Sequence, residues 1–128
     1  MSLLYDKVIT TSEVLAGYGA ILPEWFQIIN ATDKNCQKNL EQELDKGEAS
    51  AIALALELQD ITTILDDYKA RKVAIRHGLE ITGTLGVIIK AKKNGLIPSI
   101  LPLLAKLRAT NFRLNEELER FAITEAGE

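Results

Sequence analysis

The sequence predicts an α/β fold: a short parallel sheet with helices on both faces. Three observations carry this. Short β-branched runs alternate with helical stretches through the first two thirds of the chain, and such alternation favours parallel strands joined by helical crossovers. Residues 61–65 are too few for a helix but apolar enough for a buried parallel strand. Residues 47–58 are apolar nearly all round, so that helix should be buried.

The elements follow in order. Residues 8–10 read as a strand. Thr11 or Ser12 can cap a helix through Tyr18, with Glu13 in its first turn and Gly17 and Gly19 ending it. A turn follows at 22–25, where Trp25 suits a core or interface anchor better than a base-stacking role. Residues 26–30 form a second strand, and 33–44 a short polar helix with its loop. After the central helix and the 61–65 strand, Asp67 can cap a helix over 68–77, which stops at Arg76-His77-Gly78. That stop accounts for His77 better than catalysis does. Residues 79–82 form the last strand. Helices follow over 85–94, from Pro98 to Ala109, and over 116–126 behind an Asn115 cap.

With 128 residues, one domain is expected, with the α/β part over 1–95 and a helical extension over 96–128. Cys36 is the only cysteine, so no internal disulfide forms and a reducing cytoplasm fits. His77 is the only histidine, which argues against a thiol nucleophile. No apolar run reaches the roughly 20 residues of a membrane helix, so no membrane is expected. The net charge of −3 hides an asymmetry. Residues 1–67 hold 4 Lys/Arg and 12 Asp/Glu, residues 68–113 hold 10 Lys/Arg and Glu80 alone, and residues 114–128 hold Arg120 and five Glu. A basic middle beside acidic clusters suits a polyanion held near a metal, or simply solvated helix faces.

Candidate chemistry sits in residues 45–86. A Gly-Glu opens the apolar helix, and the following strand runs into Asp66-Asp67. Carboxylates converging beyond strand ends are what a hard divalent cation needs. Thr82-Gly83-Thr84 could hold a phosphate or a metal-bound water, or serve only as a strand end and a helix cap.

At residues 47–55, at Leu65-Asp66-Asp67 with Lys69-Ala70-Arg71, and at residues 82–86, the chain resembles the PIN-domain nucleases. It is most similar to an uncharacterised bacterial and archaeal branch with a helical C-terminal extension. Relatives of this kind include the VapC-type toxin ribonucleases. The resemblance implies a three-layer α/β/α domain and a Mg²⁺- or Mn²⁺-dependent ribonuclease. Glu48, Asp67 and Asp66 match its catalytic acids, with Glu48 and Asp67 as metal ligands. Lys69, Arg71, Lys72, Thr82 and Thr84 would lie toward the RNA.

Two departures qualify this. The family's first strand, with its central aspartate, has no counterpart here, because residues 3–7 match the tail of the helix that follows it. Gly17 stands where a glutamate is usual, although Glu13 lies one turn earlier. A truncated or degenerate nuclease is therefore expected, with RNA, a cognate antitoxin and a homo-oligomer as partners. The alternatives are a non-catalytic interaction module of the same fold, and a small ligand-binding domain whose aspartates only cap helices.

Overall fold

The computed structural model describes residues 8–18, 26–58, 60–110, 112 and 114–128. The chain divides into two compact units, one up to Thr82 and one from Gly83 to Glu128. The division falls before the boundary at residue 95 drawn from sequence.

The first unit holds β1 (Val8–Thr10), α1 (Ser12–Tyr18), β2 (Phe26–Ile28), α2 (Lys34–Leu40), α3 (Lys46–Glu57), β3 (Thr62–Ile64), α4 (Tyr68–Arg76) and β4 (Glu80–Thr82). Both strand pairings are parallel. In β1–β2, Val8 faces Phe26, Ile9 faces Gln27 and Thr10 faces Ile28. In β3–β4, Thr62 faces Glu80, Thr63 faces Ile81 and Ile64 faces Thr82. Each pair is closed by a helical crossover, as parallel strands require. The fold is thus a mixed α/β one with short parallel sheets. Among the described residues these are two two-stranded sheets rather than one continuous sheet.

Helix α3 organises this unit. Asp45 caps it, and Ala49, Ser50, Ile52, Ala53, Leu54 and Ala55 along it are buried. It packs against α1, α2, α4 and β3, and its core continues through Leu40, Leu44, Leu65, Ala70 and Val73. A buried hydroxyl chain ties α1 to α3. The Ser50 hydroxyl donates to the Gly47 carbonyl at 2.7 Å, so the Thr11 hydroxyl must donate in the 2.6 Å bond between Thr11 and Ser50. The Thr11 oxygen in turn accepts the Val14 N–H at 3.2 Å, which caps α1.

The second unit holds α5 (Thr84–Lys93), α6 (Leu101–Arg108) and α7 (Glu116–Glu125). Its core is Ile100, Leu104, Ala122 and Ala126, with Leu85, Ile88 and Ile123 packed on it.

Several expectations need correction. Gly17 lies inside α1 instead of ending it, while Gly19 and the 22–25 turn with Trp25 fall outside the described residues. The 61–65 strand is only half-buried: Leu65 is 6% exposed but Ile64 is 39% exposed. Pro98 does not open α6. That helix starts at Leu101 with Pro102 in its first turn. Its start is set by acceptors for its first N–H groups: a Glu128 carboxylate oxygen takes the Ile100 N–H at 2.8 Å and the Ser99 hydroxyl takes the Leu101 N–H at 3.1 Å.

Two stability predictions follow from this packing. Ile52 is fully buried, so Ile52→Ala should cost about 2–5 kcal/mol in urea unfolding, as large-to-small core changes do. Thr11→Val keeps the shape but strands the Ser50 oxygen and the Val14 N–H, and should cost about 1–3 kcal/mol in the same assay.

Candidate functional site

The acids named from sequence all sit at helix starts. Glu48 is the third residue of α3. Asp45 Oδ1 accepts the Glu48 N–H at 2.8 Å, and Glu48 Oε1 accepts the Asp45 N–H at 3.4 Å. This reciprocal pair is a capping box, and it satisfies donors that the first helical turn leaves over. Asp67 caps α4 in the same manner, with its Oδ2 accepting the Ala70 N–H at 3.0 Å. Asp66 is exposed just before it. Glu48 and Asp67 therefore each have a structural task before any metal is considered.

Electrostatics brings two of them together. Burial pushes the Glu48 carboxyl above the ordinary carboxylate range, and the charges of Asp45 and then Asp67 push it further. The field of Asp67 thus reaches Glu48 across the α3 and α4 starts. Mg²⁺ takes one or two carboxylates together with waters and substrate phosphates, so Glu48 with Asp67 meets that minimum. A cation there would relieve the repulsion that raises Glu48. Among the described residues no group of three or more His, Cys, Asp or Glu side chains is placed to hold a metal. The donor set is a pair, not a cage.

The residues assigned to RNA have mixed fates. Arg71 Nη1 donates to the Leu65 carbonyl at 2.8 Å, tying the end of β3 to α4. The Lys72 ammonium lies 5.4 Å from the ring centroid of Tyr68, which is 75% exposed. Lys69 is exposed. The Thr82 carbonyl accepts the Leu65 N–H at 2.9 Å. Thr84 is the first residue of α5, and the cap there is Gly83, which makes no side-chain bond. The reading of a threonine as that cap is corrected accordingly.

The basic block is partly neutralised from within. In the second unit Arg108 meets Glu119 at 2.7 Å, Lys93 meets Glu125 at 3.7 Å and Lys92 meets Glu128 at 3.8 Å. In the first unit Arg76 meets Glu43 at 2.9 Å. His77 is the C-cap of α4, and Gly78 follows at φ +79°, as the helix-stop reading expects. The Cys36 thiol is pushed up by burial and then by the charges of Asp33 and Glu57, the opposite of what a nucleophile needs.

Two contributors escaped the sequence reading. Asp45 shapes the Glu48 environment, and the D-x-x-E spacing of a capping box was its signal. Asp60 precedes β3 in the left-handed region at φ +59°, which no local pattern announced.

Asp67 lies where β3 runs into α4, while Glu48 lies in the first turn of α3, which follows α2. The DUF3368 family model, described as a PIN domain, matches residues 3–128, and the chain belongs to that family. PIN domains are generally nucleases and typically use a divalent metal. No curated protein and no solved structure matches the chain. Among the described residues no helix is long and apolar enough to cross a membrane.

The raised Glu48 carboxyl gives a pH prediction. A group whose folded pKa is raised contributes stability that is present below its ordinary range and lost as pH rises through the raised value. Glu48→Gln keeps the capping geometry and removes that loss. Its melting temperature relative to the native chain should therefore be higher at pH 8 than at pH 4. Glu57 gives the opposite sign. The Asp33 and Thr32 N–H groups and the Thr32 hydroxyl hold its carboxyl low, so its contribution is present above the ordinary range and fades as pH falls through the lowered value. Glu57→Gln should destabilise at pH 7, and the difference should shrink on acid titration of the melting curve.

Proposed function

We propose that this domain is a metal-dependent ribonuclease of the PIN toxin type, with a site reduced to few ligands. The observation that carries it is the Glu48 carboxyl, raised by burial and by the neighbouring Asp45 and Asp67 charges. Such a carboxylate is costly to the metal-free protein, and a cation offsets the cost. Glu48 and Asp67 would hold Mg²⁺ or Mn²⁺, with Asp66 beside them as a further acid. The metal, when bound, supplies a water of lowered pKa and neutralises phosphate charge.

The chain's own groups would do the rest. Lys69 and Lys72 at the α4 start would hold the RNA backbone. Arg71 would fix the end of β3, and so Asp66 and Asp67, through its bond to the Leu65 carbonyl. Thr82 would offer a hydroxyl at the end of the last strand. Two carboxylates retain a cation weakly, so low activity goes with this reading. Its partners are single-stranded or structured RNA, a cognate antitoxin and a second copy of the chain, in the cytoplasm.

Calorimetric titration with Mn²⁺ tests it. Saturable binding is expected, and it should be lost in both Glu48→Gln and Asp67→Asn. Both changes retain a capping side chain, so loss of binding without a lowered melting transition isolates the charge. Absence of binding at millimolar Mn²⁺ would remove the proposal.

A further inference from the structure

Helix α4 carries a side-chain stripe that its own packing does not use. Tyr68, Lys72 and Ile75 recur at the i, i+4 and i+7 spacing of one helical face. Tyr68 is 75% exposed and Ile75 is 61% exposed. The opposite face, through Ala70, Val73 and Ala74, is buried in the core of the first unit. The stripe therefore stands on a helix that the core holds from behind.

The chemistry of the stripe narrows what can lie on it. The Lys72 ammonium stands over one face of the Tyr68 ring, 5.4 Å from its centroid and within cation–π range. With most of Tyr68 in water, the other face of the ring is left to a ligand. Among the described residues neither Lys69 nor Lys72 forms an ion pair with a carboxylate. Asp67, just before Tyr68, is engaged in capping the helix. An apolar protein surface laid here would take the Lys72 ammonium out of water with no acceptor for it, which is costly. A nucleotide brings both halves of the match: a flat π face for the ring and a phosphate for the ammonium groups.

We propose that Tyr68 is a stacking platform for one unpaired nucleobase of an RNA strand. The phosphates flanking that nucleotide lie on Lys69 and Lys72, and Ile75 adds an apolar contact two turns further along α4. Tyr68 directly follows Asp67 in the chain. The stacked base therefore sets the register in which the backbone passes the Glu48–Asp67 pair. A base inside a duplex has both faces taken by its neighbours and does not fit the ring. This role rests on the reading of the domain as a ribonuclease, and it names the residue that orients the strand there.

The test uses the full chain in EDTA and a single-stranded adenine hexaribonucleotide with a 3′ fluorophore, read by fluorescence polarisation. EDTA removes metal and cleavage together, so this result and that of the Mn²⁺ titration stand or fall separately. Saturable binding is expected. Tyr68→Leu keeps apolar bulk without a π face and should weaken binding about tenfold, the usual effect of losing one stacked base. Tyr68→Trp should bind at least as tightly as the native chain. An abasic oligomer of the same length should bind the native chain about tenfold more weakly and should not distinguish it from Tyr68→Leu. Lys72→Gln should weaken both oligomers and lower the slope of log affinity against log salt by about 0.7. Both positions are exposed, so circular dichroism and melting should change little. Equal affinity of native and Tyr68→Leu chains for the RNA overturns the proposal, and so does equal binding of the RNA and the abasic oligomer. No saturable binding at millimolar RNA overturns it as well. A dimer that dissociates in Tyr68→Leu also overturns it, since a second copy would then cover the ring.

Discussion

Everything in the first unit depends on burying α3. Its interior is apolar on nearly every side, with Ala49, Ile52 and Ala53 almost wholly out of water. A helix of this kind has no solvent face and must be covered on several sides at once. α1, α2, α4 and β3 supply the cover. The alanines along it let these elements approach closely, and Ile52 fills the centre. The one polar demand inside, from Ser50, is met by Gly47 and Thr11, so the hydroxyl joins two helices without leaving an unpaired group.

The same burial shapes the chemistry. Glu48, the third residue of α3, is half-buried, so its ionised form is penalised. Asp45 is needed to cap that start, yet its charge adds to the penalty. Asp67 caps the next helix and adds more. The carboxylates that begin two helices are also the ones proposed to hold a divalent cation, and each capping bond made to an N–H takes up a lone pair that such a cation would use.

The charge pattern divides differently in space than along the chain. Lys92, Lys93 and Arg108 of the basic block meet Glu128, Glu125 and Glu119 of the acidic end within the second unit. These contacts hold α7 to α5 and α6 and leave less free positive charge than the sequence suggests. The exposed Lys93–Glu125 pair contributes little stability.

Local rules read most of the fold from sequence. The starts of α4 and α7 were legible because Asp67 and Asn115 each accept an N–H three residues on, a bond that spacing alone specifies. The strands 8–10 and 79–82 and the Gly78 helix stop were legible for similar local reasons. The start of α6 was not, because Glu128, distant in sequence, fixes it. Ile64 was expected to be buried, but no described strand covers the facing edges of β1 and β3. Glu48 and Asp67 could be named from the sequence as acids. Their mutual repulsion and the Arg71 clasp on Leu65 exist only once α3 and α4 are packed, because each depends on groups that the folded chain brings together.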